Sequence, residues 1–224
     1  MNRFIKIRIT NSTISLEDIV NHARKAQLKK GSKYGFELDT VTKQRVYLTW
    51  FEKISTIKTV ESEIFGSTSY EEIKILSFGL QFEKSASNLL LIDPPLAKHK
   101  VHSVLRKLLG AGNFLVRGID LESSIASISK DANWDIIGLE TETKTTSPKT
   151  NMSMSVTGDG NLLAYLESAY PSPPFELRSV VVQHQGLSCQ DTRITLSRSG
   201  VVRLSRDVTA NDIREISNAI IYQT

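Results

Sequence analysis

Apolar and polar residues alternate at the start of the chain. In Arg3–Thr10, Ile5, Ile7 and Ile9 fall on one side and Phe4, Lys6 and Arg8 on the other. That period of two predicts a half-buried strand. The period then lengthens. Leu16, Ile19, Val20, Ala23 and Ala26 recur every three or four residues, which predicts a helix with one buried stripe. Ser15 and Asp18 have the spacing of a capping box at its start, and Gly31 follows its last turn.

Two further alternating runs, Lys33–Thr40 and Gln44–Lys58, predict strands. On the second, Val46, Leu48, Trp50 and Ile54 share one face and Arg45, Tyr47, Phe51 and Lys53 the other. A fourth run places Leu76, Phe78, Leu80 and Phe82 in phase, with Gly79 as an expected bulge. From Leu89 strands and helices alternate. "LLLI" is a strand, Leu96–Leu109 a helix closed by Gly110, "FLVR" a strand, "LESSIASISK" a helix and "WDIIGLETE" a strand. This rhythm predicts crossover units with partly parallel pairing.

Thr143–Ser155 lacks a period and is expected as a linker or long loop. Beyond it the pattern predicts a short helix at 162–168 and a strand in "FELRSVVVQH". A hairpin closed near Ser199-Gly200 follows, then a final helix with a second capping-box pair, Thr209 and Asp212. The expected class is α+β: mixed, largely antiparallel sheets with packed helices and a short β-α-β-α-β segment in the middle. The expected domains are 1–142, with a basic first quarter, and a small 156–224 ending in a hairpin and helix, joined by 143–155.

Composition adds few constraints. The 224 residues are 40% hydrophobic and 23% charged, ordinary for a globular protein. The single cysteine, Cys189, excludes an internal disulfide and a cysteine-rich zinc module. No apolar run is long enough to span a bilayer, and the first residues do not pattern as a signal peptide. The expectation is therefore a cytoplasmic protein without membrane contact. Charge changes the picture more. The net +4 hides a basic first quarter: residues 1–58 carry 12 Lys+Arg against 5 Asp+Glu, whereas 59–143 carry 8 against 12. A basic segment suits phosphates or an acidic protein partner.

Four patterns suggest chemistry. Ile92-Asp93-Pro94-Pro95 resembles the D-P-P-Y corner of amino-methyltransferases, but Leu96 stands where the aromatic would stack on a base. The nearby "LLGAGNF" also follows a helix, where the methyl-donor turn of that family follows a strand. The simpler reading is a helix start, with Asp93 near the N-cap and a proline in the first turn. Glu72-Ile73-Lys74 has the E-x-K spacing of metal-dependent nucleases, with Glu37 and Asp39 as carboxylates from an earlier strand, and Glu142-Thr143-Lys144 repeats it. His99 and His102 are spaced to share a metal, with His22 or His184 needed to complete a shell. Cys189 lies between His184 and Asp191, which would have to activate it. None of these patterns is complete, and no cofactor, metal or catalytic residue is assigned.

The remaining signal is cationic. Arginines 193, 198, 203 and 206 cluster in the last hairpin, with Arg193 and Arg203 on one face. The expectation is a non-catalytic nucleic-acid-binding accessory protein acting in a cytosolic complex. Its contacts would come from Lys6, Arg8, Arg24, Lys25, Lys29, Arg45, Tyr47, Lys53, Arg193 and Arg203. The alternatives are an adaptor or homo-oligomerising subunit without nucleic acid, and a nuclease of the E-x-K type.

Overall fold

The computed structural model describes residues 3–11, 13–43, 45–64, 66–83, 88–95, 98–144, 151–158, 162–169, 175–188 and 191–223. These residues form eleven strands and five helices, mostly sheet, and the ladders detailed below are antiparallel. They gather into two compact units, Ile7–Leu115, and Met1–Lys6 with Val116–Thr224. The chain crosses between them at 6/7, within strand β1 (Arg3–Ile9), and at 115/116.

The Ile7–Leu115 unit is built on an antiparallel run of four strands in order β2 (Tyr34–Val41), β3 (Arg45–Ser62), β4 (Gly66–Glu83) and β5 (Asn88–Ile92). Alternation decides its faces. Phe36, Val46, Leu48, Trp50, Phe78, Leu80, Phe82, Leu89 and Leu91 are buried, each such side chain contributing roughly 1.5–3 kcal/mol. Phe36 meets Trp50 edge-on at 4.8 Å. Helix α1 (Leu16–Lys25) packs on β2, β3 and α2 (Lys98–Leu109) through Ile19, Val20 and Ala23. Its start is the expected capping box. The Ser15 hydroxyl accepts from the Asp18 N–H, and Asp18 accepts from the Ser15 N–H. On α2 the buried face is Val101, Val104, Leu105 and Leu108, and Gly110, at φ +84°, donates to the Arg106 carbonyl to close it.

One expectation fails here for a local reason. Gly79 is no bulge. β3 and β4 stay in register from Arg45↔Glu83 to Ser62↔Gly66, and Gly79 instead gives room to Ile92. α2 is described from Lys98, and the helix start expected at Leu96, with Asp93 near its N-cap, falls on residues outside the described ones. Asp93 bends the chain after β5 with a left-handed φ of 51°.

In the other unit the strands run β1, β11 (Val201–Leu204), β10 (Arg193–Ser197), β9 (Glu176–His184), β7 (Trp134–Lys144) and β8 (Asn151–Thr157). β1 pairs β11 antiparallel through Arg3↔Arg203, Phe4↔Val202 and Ile5↔Val201. Helices α3 (Leu121–Ile128), α4 (Leu162–Ala169) and α5 (Ala210–Ala219) bury Ile125, Ile128, Leu166, Ile213 and Ile216. The expected β-α-β-α-β order is present, with β6 (Phe114–Val116) between α2 and α3. The pairings of β5 with β4 and of β7 with β8 and β9 are not the expected parallel ones; all three are antiparallel. The stretch expected as a linker includes the end of β7 and most of β8, paired Gly138↔Thr157 through Lys144↔Asn151; residues 145–150 lie outside the described residues.

Two changes test this packing. A Cβ on Gly35 would sit 2.5 Å from the Leu28 backbone, so Gly35→Ala is expected to cost roughly 1–3 kcal/mol in urea unfolding. An unchanged midpoint would refute the tight seating of residues 26–28 on β2. Asp212 closes the second capping box with Thr209 and also accepts from the Ser188 N–H and hydroxyl. Burial pushes its pKa up, but the bonds from Ser188 and Thr209 outweigh that and hold it below the usual value. The stabilisation is thus full above about pH 4 and fades as pH falls through the folded pKa. Asp212→Ala should cost about 1–2 kcal/mol at pH 7, and the difference from wild type should shrink by pH 3. A pH-independent difference would show that ionisation contributes nothing.

Candidate functional site: a basic turn on the Ile7–Leu115 unit

Between Asp18 and Glu37 the chain carries Arg24, Lys25, Lys29, Lys30 and Lys33 and no acidic residue. The fold gathers these five. After α1 the backbone folds back onto β2: the Leu28 N–H donates to the Phe36 carbonyl, and the Phe36 N–H to the Ala26 carbonyl, both at 2.9 Å. Gln27 and Phe36 form a parallel bridge. Gly35 makes that approach possible, because any side chain there would strike Leu28. Residues 29–32 then close a turn, with the Ser32 N–H on the Lys29 carbonyl and the Lys29 N–H on the Ser32 hydroxyl. Gly31 supplies the left-handed φ of +86°.

All five cations are exposed, and among the described residues none has an ion-pair partner. The acid nearest by strand pairing, Glu52 opposite Tyr34, is taken by Lys100 at 3.2 Å. A sixth cation joins from α2. The Lys107 ammonium lies 3.4 Å from the centre of the Tyr34 ring and 5.2 Å from that of Trp50. Those rings stack on each other at 5.3 Å. Cation–π attraction of about 0.5–1 kcal/mol fixes Lys107 beside the turn. Tyr34 remains 47% exposed. Aligned carbonyls at the end of α1 favour cations there, and offset some of their mutual repulsion.

The ten residues expected from sequence divide sharply. Arg24 and Lys25 close α1 and Lys29 opens the turn that follows it, with Lys30, Lys33, Tyr34 and Lys107 in or beside that turn, none of which was expected from the sequence. The absence of acids over 19–36 was the available signal for the lysines. Lys53 is exposed and its N–H donates to the Lys33 carbonyl at 2.7 Å, but its side chain lies on the opposite sheet face from Tyr34. Arg45 and Tyr47, on that same opposite face, are half-buried, and Arg8 is exposed on β1. The remaining three belong to the other unit. Lys6 turns inward there, donating to the Ser217 carbonyl at 3.4 Å with its ammonium 4.9 Å from the Tyr222 ring centre. Burial lowers its pKa. Arg193 and Arg203 share the expected exposed face, since Arg203 sits opposite Thr195. Lys6 and Arg203 point to opposite faces, because Arg203 pairs with Arg3.

The other candidate chemistries stay dispersed. Glu72 is opposite Thr56 and Glu37 is opposite Thr49. Seven residues of β3 separate those partners, roughly 24 Å at strand rise. Glu72 is instead ion-paired with Lys58 at 2.9 Å and Lys74 at 3.6 Å. His184 is buried, edge-on to Trp134 at 4.5 Å, with Nδ1 accepting from the Gly186 N–H and Nε2 3.4 Å from Glu215. His102 lies against Phe114, and Asp191 accepts from Gln183; Cys189 lies outside the described residues. Among the described residues no three His, Cys, Asp or Glu side chains group to hold a metal ion. A groove of about 650 Å³ runs between α3, α4 and β7. Its lining includes Glu122, Asp135 and Trp134 and, among the described residues, no lysine or arginine. No described helix is long and apolar enough to cross a membrane.

Comparison with known proteins adds no family. No family model matches the chain, and the curated proteins hold no match to it.

Proposed function

We propose that this chain is a non-catalytic, cytoplasmic accessory module that binds nucleic acid through its phosphates. The basic turn of the Ile7–Leu115 unit is the contact surface. One observation carries the reading: five exposed cations, Arg24 to Lys33, lie on the last turn of α1 and the fastened turn after it, and among the described residues none is ion-paired. A surface that merely kept a protein soluble would intersperse both signs. A fixed cluster of one sign raises the local potential and favours a polyanion. The cations are mainly lysines, point charges suited to phosphate, and among the described residues no array of exposed rings stands beside them to read bases. Binding through such a surface is electrostatic and indifferent to sequence.

The test is binding of a fluorescent single-stranded oligonucleotide followed by anisotropy over a range of salt. With four to six phosphates engaged, the slope of log K against log salt should be about −3 to −4. Lys29→Glu with Lys30→Glu and Lys33→Glu should weaken binding by roughly a hundredfold or more at low salt, while Arg193→Glu with Arg203→Glu should change it little. No binding at low salt, a flat salt response, or an equal loss in both variants contradicts the proposal.

A further inference from the structure

The groove between α3, α4 and β7 has apolar walls on all three sides. Ile125 and Ala126 come from α3, Ile136 and Leu139 from β7, and Leu162 and Leu163 from α4. Local structure explains why the space is open. Glu122, Ile125, Ala126 and Ser129 recur at helical spacing and form one stripe of α3. Ala126, in the middle of that stripe, ends at Cβ and leaves the width of a longer side chain unfilled. A bulge in β7 adds to this. Ile136 pairs Val182 and Gly138 pairs Val181, so Ile137 is the extra residue. Both isoleucines line the groove, where strict alternation would send one of them away. At about 650 Å³ the space lies within the range of small-molecule sites.

The charged groups of the groove sit at its two ends. Glu122 is in the first turn of α3. Ser129 follows along the same stripe, roughly 10 Å away at helical rise. A tight turn comes next, with the Lys130 N–H on the Ser127 carbonyl, the Asp131 N–H on the Ile128 carbonyl and the Trp134 N–H on the Asp131 carbonyl. Asp135 therefore belongs to the Ser129 end. Neither carboxylate is cancelled. Asp135 accepts from the Gln185 amide at 3.1 Å, a neutral donor. Glu122 is 3.9 Å from Arg198, whose guanidinium is shared with Glu176 at 3.1 Å. Among the described residues no lysine or arginine lines the space. A carboxylate at each end of an apolar trough, with the Trp134 indole in its wall, fits a ligand with two cations and an apolar spacer. An anion would meet like charge at both ends. A neutral hydrocarbon would desolvate the carboxylates without pairing them.

We infer that this groove binds an α,ω-diammonium ligand of the polyamine class, with one ammonium at Glu122, the other at Asp135 and the methylenes between them along Ala126 and Ile136. The site lies wholly in the unit that contains Val116–Thr224. It uses no residue of the basic turn and does not depend on the nucleic-acid reading.

Titration calorimetry of the full chain with octamethylenediamine, which spans that separation when extended, tests it. Binding should be saturable, and the Trp134 indole N–H should shift in the nitrogen–proton NMR spectrum while that of Trp50 stays in place. Octylamine carries one charge and putrescine is too short to reach both ends, so each should bind roughly fivefold more weakly or worse. Suberate, a dianion of similar length, should not bind. Glu122→Gln and Asp135→Asn should each weaken octamethylenediamine roughly fivefold and bring it level with octylamine. Ala126 is exposed, so Ala126→Phe should fill the groove and abolish binding at an unchanged Tm. Absence of saturable binding, or an octylamine affinity equal to that of the diamine, overturns the inference. So does a diamine affinity indifferent to both carboxylate variants, or one that survives Ala126→Phe.

Discussion

The unbroken pairing of β3 with β4 is the constraint on which the Ile7–Leu115 unit depends. Eighteen pairs without a slip make side-chain direction a strict function of residue number. In the inner half, even numbers on β3 point to the helices, so Val46, Leu48 and Trp50 meet Phe78, Leu80 and Phe82 in one buried layer. A shift of one residue would send Trp50 to the open face and put Tyr47 and Phe51 beneath α1. The outer half obeys the same alternation with no described strand paired beside it. One ladder thus serves as core at one end and as an open edge at the other.

Trp50 links this ladder to the basic turn. It receives Phe36 edge-on and Tyr34 in a stack, which fixes the start of β2. The start of β2 in turn holds Ala26 and Leu28 through two backbone hydrogen bonds. The turn between them carries lysines on a backbone anchored at both ends. Anchoring matters for electrostatics, because a mobile cluster of like charges relaxes apart and its potential falls, whereas a fixed one cannot spread. Lys107 shows the same economy: two aromatic rings hold an ammonium in place without a carboxylate that would cancel it.

Much of this was legible in the residues, and the remainder was hidden for identifiable reasons. The faces of β3 followed from period two, both capping boxes from Ser15–Asp18 and Thr209–Asp212, and the shared side of Arg193 and Arg203 from the hairpin register. Each of these is a local signal. Lys107 beside Tyr34 joins residues far apart in sequence, and no spacing rule reaches across α2. Ile57, Ile73 and Ile75 show a limit of another kind. Their alternation marks a strand correctly, but apolar alternation does not reveal whether a covering layer exists. Thr143–Ser155 read as a linker because it is polar; threonine is also a good strand former, and β8, at the end of the strand order, tolerates polar residues. Lys6 counted as a surface cation until folding turned it towards Ser217 and Tyr222.

The account rests on the basic turn being the place where a polyanion sits, and hydrogen–deuterium exchange with and without a single-stranded oligonucleotide observes that place directly. Added slowing of exchange should concentrate in the segment from Arg24 to Gly35 and at the C-terminal end of α2 around Lys107. The strands carrying Arg193 and Arg203 should be unchanged. Protection centred on that hairpin, or no change within residues 24–35 under conditions of saturating binding, would contradict it.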